Sequence, residues 1–290
     1  MSAIAARVIG ARAHQYLFFL YQFYIRGGWR RVWRYQHDAQ SGKGDFLAIC
    51  AIIKNEGPYL REWIEFHRLV GVQRFYLYLN DCSDNTFEVL RPYLEEGLVE
   101  TVEFNGDKMQ IPAYDDCIER HFRDVEWLAF IDLDEFIVPQ AGRSLVEYLS
   151  SLKASCRQVL LKWLFFGSNG QERRESGLVI ERFTRRGGWQ GEWWQTKGIV
   201  RPRFVYEIGV HQHRVAGKTT VADMTEFRIH HYFCKSWEEY ALRAPRGDVF
   251  WGNDRGCVKY SREFFNSRDL NDVEDLSALE FLPEVRQALA

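Results

Sequence analysis

The sequence lacks an excess of basic charge: 38 Lys and Arg stand against 40 Asp and Glu, a net charge of -2 over 290 residues. Proteins that bind nucleic acid usually carry a strong basic excess, so nucleic acid is not an expected partner. The six cysteines, Cys50, Cys82, Cys117, Cys156, Cys234 and Cys257, include no C-x-x-C pair. Several lie in apolar runs, where Cys acts as a small hydrophobe, and a reducing compartment is the simpler reading. No stretch reaches the roughly 18 to 20 apolar residues that span a bilayer. Neither G-x-x-x-x-G-K-[ST] nor G-x-G-x-x-G occurs, which argues against P-loop and dinucleotide-binding enzymes. Internal repeats and low-complexity segments are also missing.

What is present is a core-forming composition, 46% hydrophobic and 27% charged. Such a chain buries enough apolar surface to fold. Residues 1–44 read as an arm ending in the polar stretch Gln40 to Gly44. Within it, Tyr16 to Ile25 (YLFFLYQFYI) is followed by Arg26, Arg30, Arg31 and Arg34. Aromatics flanked by arginine suit an interfacial helix, so residues 16–34 are a candidate for peripheral membrane contact. An arm packed on the domain accounts for the same pattern.

Beyond the arm the chain alternates strand and helix. Phe46 to Lys54 is a continuous apolar run, as for a strand buried on both faces. Pro58 then suits the first turn of a helix that Gly71 ends. Arg74 to Asn80 and Val99 to Asn105 read as the second and third strands, separated by a helix that Asp84 or Asn85 caps. Ile111 to Val125 reads as a helix, and Trp127 to Val138 (WLAFIDLDEFIV) as a fourth strand. Arg157 to Phe166 reads as a further strand, and Ser236 to Arg243 and Leu276 to Leu289 as helices. This alternation predicts right-handed crossovers and an α/β fold with a mostly parallel, Rossmann-like sheet flanked by helices. Ligands bind such sheets beyond the carboxyl ends of the strands. The polar signals Asn55-Glu56, Asn80-Asp81 and Asp132 to Glu135 fall at those ends.

In an extended chain residues two apart face the same way, so Asp132 and Asp134 are expected to point together. They emerge from the apolar run WLAFI, where a carboxylate must be paired or bind a cation. Two hard oxygen ligands suit Mn2+ or Mg2+ completed by diphosphate oxygens. A polar strand end bonded to backbone or arginine is the plainer alternative.

The segments AIIKNEGPYLREWIEFHRLVGV (51–72), LNDCSDNT (79–86), QIPAYDDCI (110–118), WLAFIDLDEFIVP (127–139), WLFFGSNG (163–170), KGIVRP (197–202) and HYFCKSWEEY (231–240) together resemble the GT-A glycosyltransferases, family 2-like and family 92-like. The resemblance implies a catalytic domain over 45–235, with an arm over 1–44 and a C-terminal helical extension over 236–290. It implies that Lys54, Asn55 and Glu56 border the nucleotide pocket. Asp81 and Asp84 would hold base or ribose, Gln110 and Tyr114 would line the donor pocket, and Trp163, Gly167 and Gly170 would shape its floor. Asp132 and Asp134 would be the metal aspartates, with His231 as third ligand among His211, His213, His230 and His231. Lys235 and Arg201 would neutralise phosphate.

The implied reaction is metal-dependent transfer from a nucleoside-diphosphate sugar, with UDP the default, to a hydroxyl of a carbohydrate or lipid-linked glycan. Inversion is expected, with Glu226, Glu207 or Glu172 as candidate bases and Glu226 the one carried forward. Glu135 is a candidate to orient the metal site. Trp189 to Trp194 (WQGEWW) could stack on the acceptor or pack in the core. The rivals are a nucleotidyltransferase and an inactive sugar- or membrane-binding module on the same fold. The missing apolar span points to a bacterial cytoplasmic enzyme of polysaccharide synthesis, peripheral at the inner membrane face.

Overall fold

The computed structural model describes residues 21–25, 27–37, 44–140, 142–188, 195–244, 249–250 and 259–290. The segment WQGEWW, the linker residues 40–43 and the start of the aromatic arm segment at 16–20 lie outside them.

The fold is mixed α/β around one nine-stranded sheet. Four strands form its parallel part: β1 (Asp45–Ile53), β2 (Arg74–Leu79), β3 (Val99–Glu103) and β4 (Val125–Phe130), in the order β3-β2-β1-β4. β1 is central, and residues 47–53 are all buried because helices cover both faces. The sheet continues antiparallel through β8 (Thr196–Val200) to β6 (Cys156–Phe165), then parallel to β12 (Phe227–His231). It ends on β5 (Glu135–Pro139), antiparallel to β12. β11 (Lys218–Val221) pairs with the first half of β6, and the short strands β7 (Arg185–Arg186) with β13 (Val273–Glu274), and β9 (Val205–Glu207) with β10 (Arg214–Val215), form two small antiparallel pairs.

The expected single strand over 127–138 is therefore two. β4 stops at Phe130, and β5 runs on the far side of the sheet beside β12. A turn with Glu135 N–H donating to Asp132 O at 3.1 Å separates them. Both halves are buried on both faces, so their apolar runs merge in the sequence and hide the break.

Helix α2 (Gly57–Leu69) pins this junction. Its buried stripe includes Leu60, Trp63, Ile64, Phe66 and His67. The Trp63 indole N–H donates to Glu135 O at 2.9 Å. His67 Nδ1–H donates to Trp63 O at 2.8 Å, which leaves Nε2 to accept from Ile137 N–H at 3.1 Å. Burial lowers the His67 imidazole to about 3, consistent with that neutral tautomer. Replacing a buried indole such as Trp63 by Ala typically costs about 3–5 kcal/mol and here also frees the start of β5.

The other helices are α1 (Gly28–His37), α3 (Thr86–Glu95), α4 (Gln110–His121), α5 (Leu145–Ser151), the short turns α6 (Val179–Arg182) and α7 (Trp237–Ala241), α8 (Arg262–Arg268) and α9 (Leu282–Leu289). Ser236 and Glu239 form a capping box at α7. The helix expected over 276–289 begins as a 3-10 turn, Ser277–Phe281, and only then becomes α9. Asp275, just before it, is buried against Arg186 at 2.6 Å and Arg228 at 2.7 Å, tying the C-terminal residues to the sheet. No described helix is long and apolar enough to cross a membrane.

Candidate active site

A cavity of about 350 Å³ opens at the carboxyl end of the parallel strands. Ile52 and Lys54 reach it from β1 and the residue after it, Gln110 from the start of α4, and Asp132 and Asp134 from the β4–β5 turn. Trp163 and Phe165 come from β6 and His231 from the end of β12. Arg243, Lys259 and Arg268 bring positive charge from the C-terminal side.

The two aspartates have different surroundings. Asp132 Oδ1 accepts from Gln110 Nε2 at 2.9 Å and from the Tyr114 hydroxyl at 3.2 Å. Its Oδ2 accepts from Lys197 Nζ at 2.7 Å. Both oxygens are thus engaged by protein donors. Asp134 Oδ1 lies 3.5 Å from His231 Nε2, and its Oδ2 lies 3.3 Å from Arg243. Burial alone would raise the Asp134 carboxyl, but His231, Lys235 and Arg243 outweigh it and hold it far below the usual carboxylate range. The period-two argument for a common direction fails, because the aspartates sit on a turn and not on a strand.

Beneath the turn lie Glu135 and Lys197, 0% and 1% exposed. Glu135 Oε2 accepts from Asp132 N–H at 3.0 Å and lies 3.5 Å from Lys197 Nζ. Its Oε1 is buried with no hydrogen-bond partner among the described residues. Burial pushes the Glu135 carboxyl well above its ordinary value, against the pull of Lys197. Burial disfavours the Lys197 ammonium, yet Asp132 and Glu135 overcome that and keep it charged.

Asp134, Glu135 and His231 offer one ligand atom each, all within 4.8 Å of one another. Two carboxylates and an imidazole suit Mn2+ or a similar divalent ion, and the unpaired Glu135 oxygen is the kind of atom such an ion satisfies. These residues therefore fit the metal that the sequence pointed to. Of the expected Asp132, Asp134 and His231, the cluster contains the last two, and the Asp132 carboxylate is held instead by Gln110, Tyr114 and Lys197.

The remaining expected residues divide. Lys54, Glu56 and Gln110 line the cavity, and Tyr114 meets it through Asp132. Lys54 Nζ donates to Asn80 Oδ1 at 3.3 Å and faces Asp81 at 3.6 Å. Asn55, Asp81, Asp84 and Lys235 are not on the cavity wall. Asn55 has a left-handed backbone, and its Oδ1 accepts from Ser83 N–H and Asp84 N–H at 2.7 and 3.2 Å. Asp84 accepts from Gly57 N–H at 2.9 Å and from Thr86 N–H at 3.1 Å, so it joins the starts of α2 and α3. That contact is close enough to demand glycine: a Cβ on Gly57 would lie 2.3 Å from Asn85 Oδ1. Lys235 is buried with its ammonium 4.0 Å from the Tyr59 ring centre.

Glu226 precedes β12, at the opposite end of that strand from His231, and pairs with Arg143 at 2.9 Å. The structure does not bring it to the cavity. Arg201 faces the Trp127 ring at 4.4 Å, away from the site. Among the other histidines, His211 lines the cavity beside Trp163, with ring centres 5.1 Å apart. His213 and His230 are buried and held neutral, each lowered to about 3 by burial. Lys197 and Arg243 are the cations at the two aspartates that the sequence did not single out. A lysine entering the apolar strand Gly198 to Val200 was the available signal for the first.

A sequence model described as glycosyltransferase family 92 matches residues 48–275. A glycosyltransferase family 92 protein of Oryza sativa subsp. japonica is 27% identical over 207 residues, 68% of this chain and 35% of that protein. A galactan beta-1,4-galactosyltransferase of Arabidopsis thaliana is 29% identical over 190 residues, 60% of this chain and 36% of that protein. The chain spans about a third of the length of these relatives. Among solved structures, S. aureus TarS in complex with UDP is similar at a TM-score of 0.41 and 12% identity, over 76% of this chain and 71% of that one.

Proposed function

Because this chain belongs to glycosyltransferase family 92, we propose that it moves a sugar from a nucleoside-diphosphate donor to a hydroxyl of a glycan or lipid-linked glycan. Galactose is the first sugar to test, since a matched relative is named a galactosyltransferase. UDP is the nucleotide that the family resemblance implies. The observation that carries the reading is the polarity of the cavity. Its floor presents Asp134 and His231, and its C-terminal wall presents Arg243, Lys259 and Arg268.

In this reading Lys54 and Glu56 border the nucleotide, and the diphosphate lies between the floor and the cationic wall. Asp134, Glu135 and His231 would hold Mn2+ or Mg2+, which supplies charge neutralisation for the leaving diphosphate. Asp132 is held rigid by Gln110, Tyr114 and Lys197 and orients the donor from a fixed carboxylate. Trp163 and Phe165 offer aromatic faces against which a sugar ring can stack. The acceptor hydroxyl attacks the anomeric carbon with inversion, the new C–O bond forming as the bond to the diphosphate breaks and the hydroxyl proton passing to solvent or to the leaving phosphate. Positioning and preorganised charge supply most of the acceleration.

Calorimetric titration of UDP with and without Mn2+ tests the binding half of this proposal. Wild type should bind UDP more tightly with Mn2+ present, and Asp134→Asn should remove the Mn2+ effect. UDP affinity that is undetectable in both conditions would sink it.

A further inference from the structure

We propose that the outer face of helix α1 docks on an anionic lipid surface. This goes beyond the transfer reaction and rests on separate residues. The inner face of α1 is fully used. Val32 and Tyr35 are buried, the Tyr35 ring stacks on Phe122 at 4.1 Å, and the Tyr35 hydroxyl donates to Glu119 at 2.6 Å. Arg31 donates to Asp115 of α4 at 2.6 Å. These contacts fix how the helix is rotated, and so decide what it shows to solvent.

What it shows is apolar and basic. Trp29 and Trp33 are 40% and 57% exposed, and Tyr21 and Tyr24, just before the helix, are 51% and 57% exposed. Among the described residues the exposed large hydrophobics number nine, and these four fall within one short segment. Trp29, Trp33 and His37 are spaced four apart and form one row, with the Trp33 and His37 rings stacked at 4.4 Å. Arg30 and Arg34 form the adjoining row, and Arg30 lies over Trp29 at 5.4 Å.

Residues 21–37 contain no Asp or Glu. Among the described residues Asp115 and Glu119 on α4 pair with Arg31 and Arg34, while Asp38 follows the helix in sequence. These two acids of α4 are thus neutralised by arginines of α1, and the exposed rows of α1 itself carry no acid. Trp and Tyr have an apolar body and a polar edge and settle at the depth of lipid headgroups, where Arg meets lipid phosphate.

The test is co-sedimentation of the full chain with phosphatidylcholine vesicles, with and without phosphatidylglycerol. Binding is expected to the anionic vesicles and to weaken with added salt. Trp29→Ser with Trp33→Ser should bind roughly tenfold or more weakly. Both residues are exposed, so the melting temperature and UDP binding should stay as in wild type. Absence of binding to anionic vesicles overturns the proposal. So does unchanged binding by the double variant, which would put the contact elsewhere in the chain. A vesicle-free dimer that the double variant abolishes overturns it too, by assigning the face to a second copy.

Discussion

Lys197 Nζ lies 2.7 Å from Asp132 Oδ2 and 3.5 Å from Glu135 Oε2. The first acid of the D-x-D turn is therefore neutralised by the protein's own cation. The second, Asp134, meets His231 and Arg243 at the longer separations of 3.5 and 3.3 Å and keeps its charge toward the cavity. Two residues that look equivalent in sequence have different surroundings: Asp132 accepts from Gln110, Tyr114 and Lys197, whereas Asp134 lies between His231 and Arg243.

Removing the buried ammonium should show this division. Lys197→Met leaves Glu135 buried without its cation and Asp132 without one donor, and should destabilise the fold by about 3 kcal/mol. Adding Asp132→Asn should recover part of the loss, so that the double variant is more stable than the sum of the singles predicts. Chemical denaturation of the four proteins measures it, and strict additivity would contradict the coupling.

Glu226 should be dispensable for turnover. It pairs with Arg143 at 2.9 Å before β12 and does not line the cavity. Glu226→Gln should change kcat by less than about twofold and stability by less than about 1 kcal/mol, the usual range for an exposed pair. A loss of two orders of magnitude in kcat would restore Glu226 as the base.

Acid stability should depend on Glu239. Burial would raise its carboxyl, but Arg182 and Ser236 outweigh burial and lower it to about 2. The folded value lies below the ordinary one, so Glu239 stabilises the protein fully above roughly pH 5. That contribution, about 3 kcal/mol at most, is lost as the pH falls toward 2. Glu239→Gln should be less stable than wild type at pH 7, and the gap should close between pH 5 and pH 2. A gap that stays constant with pH would contradict the assignment.

The parallel half of the sheet was legible because each of its strands is an apolar run with a helix pattern after it. Phe46 to Lys54 becomes β1 within a residue at either end. The second half was not. β6, β8, β12 and β5 are joined by long irregular segments, and their order depends on pairings such as Ile229 with Trp163 and with Ile137 that no local pattern carries. The same limit hid the site. Asp132 and Asp134 were readable as acids at a sheet rim, but the turn that separates them follows from β5 joining β12. Lys197 and Arg243 come from distant parts of the chain, so only the fold brings them to Asp132 and Asp134. Asp84 was readable both as a ligand and as a helix cap. Its bonds to Gly57 and Thr86 place it at the helix starts.

In the proposed reaction a donor is cleaved in this cavity with Asp134 as the key carboxylate. The direct measurement is release of nucleoside diphosphate from UDP-galactose and other nucleotide sugars, with Mn2+ present, by wild type and by Asp134→Asn. Wild type should release UDP from at least one donor, faster when an acceptor glycan is added, and Asp134→Asn should be slower by about a hundredfold or more. Release by the variant at the wild-type rate, or no release by wild type from any donor, would contradict it.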